Sequence, residues 1–95
     1  MTNTVTKNYK GVWEDCLKTI YDIVGPEVYE TWFTPIVPVA LENSTLVIQL
    51  PSHLYLEFLE EHYVNVLKSV IKKELGENGN LHYRVVIEQN KVPEN

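Results

Sequence analysis

Proline stands at Pro26, Pro35, Pro38, Pro51 and Pro93 of this 95-residue chain. Because it lacks a backbone N–H and clashes with a preceding helical turn, each one marks a place where a helix or a central strand has to start or stop. The elements must fit between these marks. From Val12 to Val24 the apolar residues Trp13, Cys16, Leu17, Ile20, Ile23 and Val24 recur at three- and four-residue steps, with Glu14, Asp15, Lys18 and Asp22 opposite. That spacing predicts an amphipathic helix ended by Gly25-Pro26. A second, short helix is expected over Pro26 to Phe33, with proline at its first position, Glu27 in its first turn and Pro35 as its stop.

Ile36 to Leu41 is β-branched but holds Pro38, which restricts it to an edge strand or to a strand starting after the proline. After a Glu42-Asn43-Ser44 turn, Thr45 to Leu50 reads as a second strand at hairpin distance, so antiparallel pairing follows. Ser52 then offers an N-cap to a single long helix running to Gly76. Leu81, Tyr83, Val85 and Ile87 alternate with His82, Arg84, Val86 and Glu88 as in a half-buried strand. The predicted order is helix, helix, strand, strand, helix, strand, an α/β chain of α+β two-layer type.

Eight basic residues against thirteen acidic ones leave a net charge of −5, which disfavours holding phosphates mainly by charge. A stand-alone nucleic-acid binder is not expected. Cys16 is the one cysteine, so no internal disulfide can form, which suits a reducing cytoplasm. No apolar run is long enough to cross a bilayer. Met1 to Lys10 lacks the apolar stretch of a secretory signal and reads as a mobile tail; one globular domain is expected over residues 11–89, with residues 90–95 opening a linker.

At about 100° per residue, Leu56, Leu59, Tyr63, Val66, Leu67 and Val70 of the long helix share one arc and must face the sheet. Leu54 and Phe58 fall on the far side with Glu61, Asn65 and Lys72. Two large apolar side chains there are either covered by the first helices or offered to a partner. Trp13, at the outer end of the first helix's stripe, is either a lid on the core or a self-association anchor. Trp32, with Val28, Tyr29 and Phe33, is assigned to the core.

No chemistry of a catalytic kind stands out, and no enzyme activity or cofactor is expected. His53, Glu57 and Glu61 step along one helix at metal-ligand spacing, but a solvated face explains them as well. Cys16 lies on an apolar stripe without a neighbouring histidine to activate it. Gly76-Glu77-Asn78-Gly79 spells the Gly-x-x-Gly of KH domains, yet it joins a helix to a strand and carries a glutamate, so a helix C-cap and a turn account for it.

Four stretches carry a resemblance: Val12-Trp13-Glu14-Asp15-Cys16-Leu17, Thr31-Trp32-Phe33-Thr34-Pro35-Ile36, Leu46 through Pro51, and Phe58-Leu59-Glu60-Glu61-His62-Tyr63. In this order and spacing, Val12 to about Glu88 resembles the N-terminal domain (domain I) family of the bacterial replication initiators, the DnaA proteins. The resemblance implies a KH-like fold with three helices on a three-stranded sheet. It also implies an interaction module for other initiator molecules, the replicative helicase DnaB and group-specific regulators, with at most weak single-stranded DNA contact. ATP and origin-DNA binding would belong to other domains. Carried over residue by residue, Trp13 matches a self-association position and Leu54 an aromatic helicase-contact position. Phe58 matches a position where weak single-stranded DNA contact has been proposed. Val28 stands where the family has an acid, flanked here by Glu27 and Glu30 as candidate helicase contacts.

Two functions follow as expectations. One is a cytoplasmic recruitment module presenting Trp13 and, separately, Leu54 with Phe58. The other is a KH-shaped single-stranded nucleic-acid binder using Phe58, Tyr55 and Lys72 or Lys68.

Overall fold

The structure, a computed structural model, describes residues 8–86. Helix α1 spans Tyr9–Val24, with the side chain of Asn8 accepting the Gly11 N–H at 2.9 Å as its cap. It therefore starts three residues before Val12, and Tyr9 and Lys10, expected in the tail, are helical. Residues 1–7 of that tail and the linker at 90–95 lie outside the described residues. Helix α2, Pro26–Val28, runs on into one π-helical turn, Tyr29–Phe33, closed by the Thr34 N–H donating to the Tyr29 carbonyl at 3.1 Å.

Strands β1 (Val37–Glu42) and β2 (Thr45–Leu50) form the antiparallel hairpin. Asn43 and Ser44 both take positive φ, 49° and 70°, the two-residue turn whose twist suits a hairpin. Pro38 lies on the sheet edge, as a residue without an N–H must, and a register shift between Pro38 and Ala40 leaves Val39 as a bulge. Strand β3, Asn80–Val85, pairs parallel with β2, so β2 is central. The end of the predicted third strand, at 87 and 88, is outside the described residues.

The expected single long helix is two: α3, His53–His62, and α4, Val64–Leu75. Tyr63 breaks it with φ −130° and ψ 16°. No proline or glycine announces this. The Tyr63 ring is held against Phe33 and Phe58, at centroid distances of 5.9 and 5.7 Å, and that packing overrides helical propensity. Beyond the break the buried residues are Leu67, Val70 and Ile71, the last not in the predicted arc.

The core lies between the helices and one face of the sheet. Leu46, Ile48 and Leu50 of β2 are wholly buried against Val12, Trp13, Cys16 and Ile20 of α1, Phe33, Ile36, Leu59 and the α4 residues. Burying each such side chain contributes about 1.5–3 kcal/mol. Lys73 also ties α4 to α1, its Nζ donating to Thr19 Oγ1 at 3.3 Å.

Candidate partner-docking surface

The beginning of α3 carries the surface that the sequence singles out. Leu54 is 61 % exposed, the most exposed of the large hydrophobic side chains among the described residues. Phe58, one turn on, is half-buried because Trp32 lies flat on its ring, 3.7 Å between centroids and 9° from parallel. Tyr55 meets Trp32 edge-on at 5.0 Å, and His62 lies tilted against Phe58 at 4.8 Å. An aromatic stack thus backs a depression of about 560 Å³ lined by Leu54, Glu57, Phe58, Glu60, Glu61 and His62.

Trp32 packs against the core but is only half-buried, not enclosed in it as its spacing predicts. Phe33, assigned to the core with it, does reach the interior, at 0 % exposure, while Trp32, beside it in the π-turn, is turned toward α3. The composition gave a signal, an excess of aromatics in two segments. Their meeting depends on the turn.

Trp13 takes the first of the two places read for it, a lid on the core rather than an exposed anchor. Since α1 begins at Tyr9, Trp13 sits in the second turn and is only 3 % exposed, in the core. Its indole N–H is buried without an acceptor among the described residues. Of the two sequence readings, an enclosed ring fits the lid and leaves little of the indole surface for an anchor. Glu27 and Glu30 are exposed on α2 and its π-turn, and Val28 is half-buried against the core.

The other candidate sites are not assembled. His53 Nδ1 approaches Glu57 Oε2 at 3.4 Å, but Glu61 pairs with His62 at 3.9 Å, and no group of three metal-ligating side chains comes together among the described residues. Cys16 is 1 % exposed. Lys68 and Lys72 line a separate cleft between α4 and β3, with Leu67, Ile71, Asn80 and Tyr83, so they do not join Phe58 and Tyr55. In that cleft burial, and secondarily the charge of Glu60, hold the Tyr83 phenol above its ordinary value. Gly76 caps α4 with φ +96°, and a Cβ on Gly79 would lie 2.9 Å from Leu75 Cβ and 3.0 Å from two carbonyl oxygens. Both glycines have structural reasons to be glycine.

Among the described residues no helix is long and apolar enough to cross a membrane. The electrostatics of the α3 surface are acidic, with three glutamates around Leu54 and Phe58.

Residues 3–73 match the family described as DnaA N-terminal domain. The chain is similar to the chromosomal replication initiator protein DnaA of Flavobacterium psychrophilum, 44 % identical over 94 residues, 96 % of this chain and 20 % of that protein. It is similar to the protein of the same name from Bacteroides thetaiotaomicron, 38 % identical over 89 residues, 94 % of this chain and 19 % of that protein. The likeness extends to Chlorobaculum tepidum, 33 % identical over 78 residues, 82 % of this chain and 16 % of that protein. The chain thus spans about a fifth of the length of the first two.

Proposed function

The chain belongs to the DnaA N-terminal domain family, and from that premise we propose that it works as a protein-interaction module of a replication initiator, recruiting the replicative helicase and regulators and promoting initiator assembly. The observation that carries this reading is Leu54, left 61 % exposed beside the half-buried Phe58. An apolar side chain on a rigid helix, backed by stacked rings, costs little further ordering when a partner covers it. The glutamates around it select for a basic rim on that partner and disfavour phosphate. Glu27 and Glu30 add negative charge on the segment that supplies Trp32.

Such a patch is small, so each contact is weak. Tethering several initiators on one origin raises the effective concentration to about the millimolar range, and weak contacts then suffice. Trp13 acts on assembly through the packing of α1, since its ring is enclosed.

The test is binding of the chain to the immobilised cognate helicase, with Leu54→Ala and Leu54→Arg beside the wild type. A central contact residue is worth more than about 1 kcal/mol, so Leu54→Ala should weaken binding at least about fivefold and Leu54→Arg further. Thermal stability should stay unchanged in both. Unaltered binding by two folded variants would remove the α3 surface from helicase recruitment.

A further inference from the structure

A second surface lies between α1 and the segment after α2, built by Leu17, Tyr21 and Tyr29 with Glu14, Lys18 and Asp22 at its margins. We propose that this trough docks a protein segment carrying an arginine next to an aliphatic side chain, a contact independent of the α3 surface. Tyr21 is 45 % exposed and meets Tyr29 edge to face, 5.1 Å between centroids and 75° between planes, a pair of tyrosine rings at the surface to which a flat cation is attracted. Leu17, one turn before Tyr21, is half-buried and supplies an apolar seat.

Charge decides the occupant. Lys18 is drawn to Asp15, with its Nζ 3.8 Å from Asp15 Oδ1, while neither Glu14 nor Asp22 is held by a basic group among the described residues. Two uncommitted carboxylates therefore flank the tyrosines. A guanidinium fits this arrangement better than an ammonium, since its plane stacks on a ring while its N–H fork donates to a carboxylate. An acidic or phosphate-bearing ligand would meet repulsion from Glu14 and Asp22 instead.

The probe is a capped peptide, Leu-Arg-Ala-Leu-Arg, titrated into the isotope-labelled 95-residue chain and followed by amide and tyrosine-ring NMR shifts. Saturable shifts are expected at Leu17, Tyr21, Asp22 and Tyr29. Screening of exposed charges predicts that raising salt toward 1 M, where the Debye length is about 3 Å, weakens binding several-fold. Asp22→Asn should weaken binding, and Asp22→Lys or Tyr21→Ala should abolish it, with the wild-type amide pattern otherwise retained. A Leu-Glu-Ala-Leu-Glu peptide should give no response. Three results would overturn the proposal: no saturable shift at millimolar peptide, an equal response to the acidic peptide, or shifts confined to the surroundings of Leu54 and Phe58. None of these outcomes depends on the helicase experiment.

Discussion

Replacing Trp13 by alanine removes an enclosed indole from the core and should cost about 3–5 kcal/mol, read as a fall in the urea midpoint. Small domains hold only about 5–15 kcal/mol in total, so an assembly defect in Trp13→Ala would report partial unfolding rather than a lost contact. Leu54→Ala, at an exposed site, should move stability by no more than about 0.5 kcal/mol. The two substitutions separate packing from docking within one protein. Tyr83 supplies a pH test. Its phenol is held above 10.0 by burial and then by Glu60, so on raising the pH the unfolded chain loses this proton first. The contribution of the neutral phenol is complete below the unfolded value and disappears as pH rises through the folded one. Thermal stability should thus fall above pH 10.0, and Tyr83→Phe should remove part of that fall.

At the scale of elements, the loop leaving α4 is the clearest case of glycines kept for geometry. Gly76 has φ +96° and ψ 178°, a region nearly closed to other residues, and Gly79 has no room for a Cβ. Gly76→Ala and Gly79→Ala should each destabilise by about 1–3 kcal/mol in urea titrations, without selective loss of helicase binding. The hairpin and α1 were legible because their signals are local: alternation over Thr45–Leu50, a turn at Asn43-Ser44, and apolar steps from Trp13 to Val24. The break at Tyr63 was not, since it goes with ring packing between distant segments, and neither was the π-turn before Thr34, which no proline or glycine within Tyr29–Phe33 marks.

Across the whole molecule, net charge and its placement oppose nucleic acid. The chain carries −5, and the aromatic side chains of α3 are surrounded by glutamates while Lys68 and Lys72 face another cleft. Fluorescence anisotropy with a labelled oligothymidine should show no saturable binding at about 0.15 M salt, and Phe58→Ala should change nothing. Steep salt-dependent binding lost in Phe58→Ala would restore the single-stranded reading. The candidate site was legible in part: the helical period placed Leu54 outside the core. It could not show that Trp32 would cover one face of Phe58, because two residues 26 positions apart meet only after the helices pack.

Sequence alone determined the element order apart from the π-turn and one helix break, the exclusion of Pro38 from a central strand and the placing of Leu54 off the core arc of its helix, since each rests on backbone chemistry or on periodicity within a few residues. Only the tertiary structure decided that Trp13 is enclosed, that Trp32 stacks on Phe58 and that the long helix breaks at Tyr63. Those outcomes depend on where α1 begins and on how large rings share limited space, which no single segment specifies.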